Sequence, residues 1–130
     1  MLEQGAFVEC ENIKHVQLNE GLEVLGTDGD GCGVFYDSAL ESVVLPSTLK
    51  RIEHSTFCFC KELKSISLPE RLEFIGRDCF RQSGLESIEF PASLRTISQG
   101  ALAECKSLKT AKFSEGLEVL GTDEYMDNGN

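Results

Sequence analysis

Three stretches of the chain hold residue types that could do chemistry. HSTFCFC, residues 54–60, offers His54, Cys58 and Cys60, three zinc-ligand types within seven residues. A structural zinc site takes four ligands, and C-x-C is shorter than the usual ligand spacing, so the stretch does not by itself specify a metal. GTDGDGCGV, residues 26–34, sets Asp28 and Asp30 among four glycines. The alternate carboxylates resemble the start of a calcium loop, but counted from Asp28 no bidentate Glu stands at the twelfth position, and the default reading is a flexible loop. Its glycines also fail the phosphate-cradling pattern, since no Lys and Ser/Thr pair follows them. The third possibility is a Ser or Cys nucleophile beside His and a carboxylate. The pattern brings no nucleophile to His15 or His54, and both read as solvated surface histidines. The expectation is a chain without catalytic, cofactor-binding or metal-binding residues.

The elements that would have to position such groups come from a repeat. EGLEVLGTD occurs at residues 20–28 and again, letter for letter, at residues 115–123. The interval divides into units starting at Ile13, Leu40, Leu63, Leu85 and Leu108, in steps of 27, 23, 22 and 23. The template is L-x-x-I-x-L-P-x-x-L-x-x-I, then Phe or Leu, then Cys or Ser. The first unit fits it with five extra residues in 26–34. The single array therefore reads as a partial unit 1–12, full units 13–39, 40–62, 63–84 and 85–107, and a partial unit 108–130.

Each unit opens with apolar positions that alternate as in a strand, such as Leu63, Ile66 and Leu68. Pro46, Pro69 and Pro91 then remove a backbone donor, so the strand must stop there. A second extended piece and a tight turn follow, and no unit has room for a full helix. One unit is too short to bury a core against its own ordering entropy; stacked units lend each other ladder hydrogen bonds and a continuous interior.

Two charge columns support the stacking independently of hydrophobicity. Lys14, Glu41, Lys64, Glu86 and Lys109 alternate in sign, and so do Glu23, Lys50, Glu73, Arg95 and Glu118. Neighbours in a parallel stack stand about 4.8 Å apart, so each charge faces its opposite above and below. Cys10, Ser38, Cys60, Ser83 and Cys105 share one further position. Like cysteines are two rows, about 10 Å, apart, too far for a disulfide; the column reads as an internal ladder of thiols and hydroxyls.

Composition narrows the partner. Twenty-two acidic residues against twelve basic ones give a net charge of -10, which repels the phosphate backbone and argues against nucleic acid. No run approaches the roughly eighteen apolar residues of a spanning helix. The first residues lack the basic flank and apolar centre of a signal peptide, so the default expectation is cytoplasmic unless the chain is a fragment of a secreted protein.

L-x-x-I-x-L-P followed by I-G-x-x-x-F, carried by Leu63, Ile66, Leu68, Pro69, Leu72, Ile75, Gly76 and Phe80, resembles the BspA-like leucine-rich repeat, with Ala6, Phe7 and Cys10 matching its A-F-x-x-C half. The resemblance implies a right-handed leucine-rich-repeat solenoid, mainly β, with a parallel sheet on one face, little or no α-helix, and a role in adhesion or protein recognition. The outward positions of the first strands are then the candidate protein-binding face: His15, Ser42, Ser65, Ser87 and Thr110 in one column, with Gln17, Val44, Ser67, Glu89 and Lys112 beside it. The expected function is a non-catalytic protein-binding or adhesion module. The alternative is a structural spacer or a sensor segment of a longer multidomain protein, which the lack of an aromatic anchor among these ten outward residues suits.

Overall fold

The fold is taken from a computed structural model, which describes residues 12–26 and 33–120. Ala6, Phe7, Cys10, Asp28, Asp30 and Cys32, and with them the calcium-loop reading, lie outside the described residues.

The chain winds as a parallel β-solenoid, and no helix occurs among the described residues. Each row has three sides. The first side carries the three-residue strands β1 (His15–Gln17), β3 (Ser42–Val44), β6 (Ser87–Glu89) and β8 (Thr110–Lys112). The second carries the two-residue strands β2 (Val24–Leu25), β4 (Arg51–Ile52), β5 (Phe74–Ile75), β7 (Thr96–Ile97) and β9 (Val119–Leu120). The third is an arc of tight turns that returns the chain to the next row.

Proline acts at the first corner as its chemistry requires. The Pro46, Pro69 and Pro91 carbonyls accept hydrogen bonds from the amides of Leu49, Leu72 and Leu94 at 3.1, 3.2 and 3.1 Å, closing a turn that drops each leucine into the interior. Row five makes the same turn with Ser114 in place of proline, its carbonyl 3.4 Å from the Leu117 amide. On the third side the chain bends through left-handed residues at two fixed places in the row. One is Ser55, Asp78 and Gly100, and the other is Asp37, Phe59, Gln82 and Glu104.

The second-side strands form one five-stranded parallel sheet, β2-β4-β5-β7-β9, in which Leu25, Ile52, Ile75, Ile97 and Leu120 are register partners. The first-side strands form two separate two-stranded sheets, β1-β3 and β6-β8. Row three has no strand on this side. The parallel sheet is therefore present, but its continuous part lies on the second side of the coil.

The core is built of columns, each filled by one residue from each row. Leu40, Leu63 and Leu85 form one, Leu49, Leu72 and Leu94 another, and Leu25, Ile52, Ile75 and Ile97 a third, all fully buried. Phe35, Phe57 and Phe80 stack nearly parallel at 5.5 Å between successive ring centres, and buried Leu102 takes the same position in the next row. No unit could bury these faces alone, because the partner of each side chain is its counterpart one row away. The Cys/Ser column is internal too. Cys60 Sγ and Cys105 Sγ each donate to a carbonyl, of Phe35 and Phe80, at 3.0 Å, and each lies 3.6 Å from a serine hydroxyl, of Ser38 and Ser83. Cys58, Cys60, Cys79 and Cys105 are buried free thiols.

Among the described residues the backbone holds neighbours of both charge columns together except Glu41 and Lys64, between which no backbone bond forms. The backbone amides of Glu41, Lys50, Glu73, Glu86, Arg95, Lys109 and Glu118 each bond to the carbonyl of the column residue one row before. Ion pairs form at Lys14–Glu41 (3.8 Å), Glu23–Lys50 (3.6 Å) and Arg95–Glu118 (3.6 Å).

Candidate binding surface

The alternation of short strands sends every second side chain outward, and all ten residues of the candidate face are exposed. Register pairs His15 with Ser42 and Gln17 with Val44 at one end. At the other end Ser87 pairs with Thr110 and Glu89 with Lys112. Val44 is 57% exposed, a large apolar side chain standing on the surface. Lys112 Nζ lies 3.9 Å from a Glu89 carboxylate oxygen, with both side chains far into solvent.

Ser65 and Ser67 are exposed on the same face but are not brought into a ladder with either neighbour. The Glu86 amide still bonds to the Lys64 carbonyl at 2.9 Å, so rows three and four are clamped at that point. Beyond it, among the described residues, the amides of residues 65–68 make no backbone hydrogen bond. A cleft of about 430 Å³ lies between rows three and four, lined from one side by residues 65–68 and Glu70 and from the other by residues 87–92. Its effect on packing is local: Ile66 is only half-buried, whereas Val43 and Ile88 at the same position in the flanking rows are 8% and 4% exposed.

The histidines differ from expectation. His15 is exposed, but its Nδ1 lies 2.7 Å from Ser42 Oγ, because the repeat puts both in one column. His54 is half-buried rather than solvated: its Nδ1 meets Ser55 Oγ at 3.2 Å, and its Nε2 is buried with no hydrogen-bond partner among the described residues. The repeat therefore brings the Ser42 hydroxyl to His15, whereas the hydroxyl at His54 comes from the next residue in the chain. Among the described residues no carboxylate hydrogen-bonds to either ring in the manner of a triad.

Burial pushes the Cys58 thiol up to about 12 and the Cys60 thiol to about 11. A thiol in this state is a small apolar filler and a weak nucleophile or ligand at neutral pH. Cys58 and Cys60 are thus part of the interior, and among the described residues no three His, Cys, Asp or Glu side chains come together as a metal site.

The second side holds a feature with no signal in the repeat template. Arg51 donates from Nε to Glu53 Oε1 at 2.7 Å, and its guanidinium carbon lies 3.9 Å from the centre of the Phe74 ring. Glu53 is 4% exposed, so this charge is held inside by its arginine. A recess of about 390 Å³ adjoins it, with His54, Phe74, Arg77 and Ser98 among its walls.

Comparison with known proteins accords with this architecture. A leucine rich cell surface protein from Faecalibacterium prausnitzii A2-165 superposes with a TM-score of 0.73 at 26% identity, covering 97% of this chain and 31% of that one. The T. pallidum leucine rich repeat protein TpLRR superposes with a TM-score of 0.66 at 21% identity, covering 92% of this chain and 65% of that one. The chain thus spans about a third of the first protein and just under two thirds of the second. No curated protein sequence matches it. The BspA type leucine rich repeat region matches residues 31–128 in six copies, and the chain belongs to that family.

Proposed function

We propose that the chain is a non-catalytic module for binding or adhering to a protein, and that its working surface is the outward face of the first side: His15, Gln17, Ser42, Val44, Ser65, Ser67, Ser87, Glu89, Thr110 and Lys112. The observation that carries this reading is that these residues are exposed together on rows whose inward neighbours, Leu40, Leu63 and Leu85, are fully buried. A partner would meet side chains already held in place, so little conformational entropy is lost on binding. The net charge of -10 disfavours nucleic acid, and no helix among the described residues is long and apolar enough to cross a membrane. The family and the neighbouring cell surface protein fit recognition of another protein.

The second reading is a spacer or sensor segment of a longer protein. It is favoured by the chain's spanning about a third of one neighbour's length and just under two thirds of the other's. The whole chain, with units as divided above, would then be one stretch of a longer array.

The test is to recover a partner with the native chain and measure its affinity for the Ser65→Arg/Ser87→Arg variant and for a variant lacking residues 28–33. Loss in the first and retention in the second supports the face. Retention in the first and loss in the second moves the site to the glycine-rich segment.

A further inference from the structure

The cleft between rows three and four has a chemistry that the rest of the first side lacks. Its lining is mixed, with apolar surface from half-buried Ile66 and Leu68 on one side and from Pro91 and the nearly covered Ile88 and Phe90 on the other. Its polar lining is of one kind, with the hydroxyls of Ser65, Ser67 and Ser87 and the carboxylates of Glu70 and Glu89, and no Lys, Arg or His lines it. Among the described residues those hydroxyls make no side-chain hydrogen bond, and the amides and carbonyls of residues 65–68 make no backbone one. The rows on the far sides pair in ladders, β1 with β3 and β6 with β8.

A slot that sets apolar side chains beside hydroxyls and two carboxylates is complementary to a long aliphatic stem ending in a cation. The slot cannot open to admit a whole strand. Rows three and four are clamped at Lys64 and Glu86 on one side of it, and at the register pairs Phe74–Thr96 and Ile75–Ile97 on the other. Its occupant must therefore enter as a side chain, with the main chain that bears it lying across the face.

Building on the face-binding reading above, we propose that this cleft seats a lysine or arginine side chain from an extended segment of the partner protein, the stem against Ile66 and Leu68 and the cationic head at Glu70 and Glu89. The partner's backbone lies across the outer face at residues 65–68, and only the side chain enters between the rows. Lys112, 3.9 Å from Glu89, swings away as the incoming cation replaces it. The acidic surface as a whole draws such a segment in, since the chain carries a net charge of -10.

The experiment titrates the isotope-labelled full chain with the capped tripeptide Val-Lys-Val and, separately, with Val-Glu-Val, following amide resonances. Val-Lys-Val is expected to shift residues 65–68 and 87–92, and Val-Glu-Val to leave them in place. Glu70→Gln/Glu89→Gln should weaken Val-Lys-Val about tenfold, while Glu23→Gln/Glu118→Gln, the same charge change at exposed ion pairs away from the cleft, should weaken it less than about twofold. Shifts centred elsewhere, equal response to both peptides, or equal weakening by both variant pairs would each overturn the proposal. The outcome also separates from that of the broader reading. If Ser65→Arg/Ser87→Arg abolishes partner binding but Val-Lys-Val leaves the cleft resonances unmoved, the cleft assignment fails and the face stands. If Val-Lys-Val fills the cleft while that variant keeps its partner, the cleft takes a cationic side chain but not the partner's, and both the face reading and the proposal are overturned.

Discussion

Truncating Phe57 to alanine should remove a large part of the stability of the array. The ring is fully buried and sits in the middle of a stack, 5.5 Å from Phe35 with planes 8° apart and 5.5 Å from Phe80 with planes 4° apart. Burial and cavity formation set the cost of Phe→Ala at about 3–5 kcal/mol, and no side chain on the rows above or below can move in without leaving its own place in a column. Two ring–ring contacts go with it, each worth about 0.5–1.5 kcal/mol of that total. Small domains are stable by only about 5–15 kcal/mol, so the variant should melt roughly 10–25 °C lower. Phe57→Leu should cost only about 1–1.5 kcal/mol, because Leu102 already shows that leucine fits the column. Phe113→Ala is the control: Phe113 stacks on Phe90 at 5.1 Å but is 40% exposed, and its loss should cost under about 2 kcal/mol. The assay is urea unfolding followed by circular dichroism. A loss below about 1 kcal/mol in Phe57→Ala would refute the claim that columns of stacked side chains hold the rows together.

Three further outcomes follow from the geometry. Native protein treated with a thiol reagent at about pH 8 should leave Cys58, Cys60, Cys79 and Cys105 unmodified until it is unfolded, because burial raises the pKa of all four thiols; fast labelling of any of them by mass mapping would contradict that. Lys64→Glu places a third negative charge between Glu41 and Glu86 and should cost at most about 1 kcal/mol, less in high salt, and an effect that grows with salt would contradict the column. The Glu20 carboxyl is held below the ordinary carboxylate range by the Ser47 amide and then the Ser47 hydroxyl, so Ser47→Ala should raise its titration midpoint in an NMR titration. The sign is that of a depressed carboxylate: the contact is present above the unfolded pKa and is lost as pH falls through the folded one.

The row starts, the proline stops and the core columns were legible because each is a single residue type recurring where the next row must touch it. The charge columns were legible because their sign alternates from row to row, and Lys14–Glu41 and Glu23–Lys50 pair as their spacing implies. Less legible was which side would carry the continuous sheet. Pairing on the first side depends on small differences of packing: row three offers Ser65-Ile66-Ser67, where row two has Ser42-Val43-Val44, and two serines around one isoleucine give little surface for cross-strand contact. The cleft could not be read from the template, because the template is satisfied in that row.

The left-handed corners were also hidden. Asp78 and Gly100 are ordinary residues for such a place, but Phe59 at φ 62° is not, and the sequence carries no sign of it. Its ring meets Tyr36 of the preceding row edge-on at 5.3 Å, a contact that only stacking creates. The His15–Ser42 pair, by contrast, was within reach. Both residues stand in one column, and side chains opposite each other on neighbouring parallel strands come into hydrogen-bond range.

Hydrogen–deuterium exchange on the free chain and on its complex with a recovered partner tests most directly whether binding runs through the first side. In the free chain the amides of residues 65–68 have no backbone acceptor and should exchange far faster than those of β4 and β5, which lie within the five-stranded sheet. With the partner bound, residues 65–68 and 87–89 should slow together while β4 and β5 stay as they were. Slowing confined to the five-stranded sheet or to residues 27–32, with residues 65–68 still exchanging freely, would contradict the assignment.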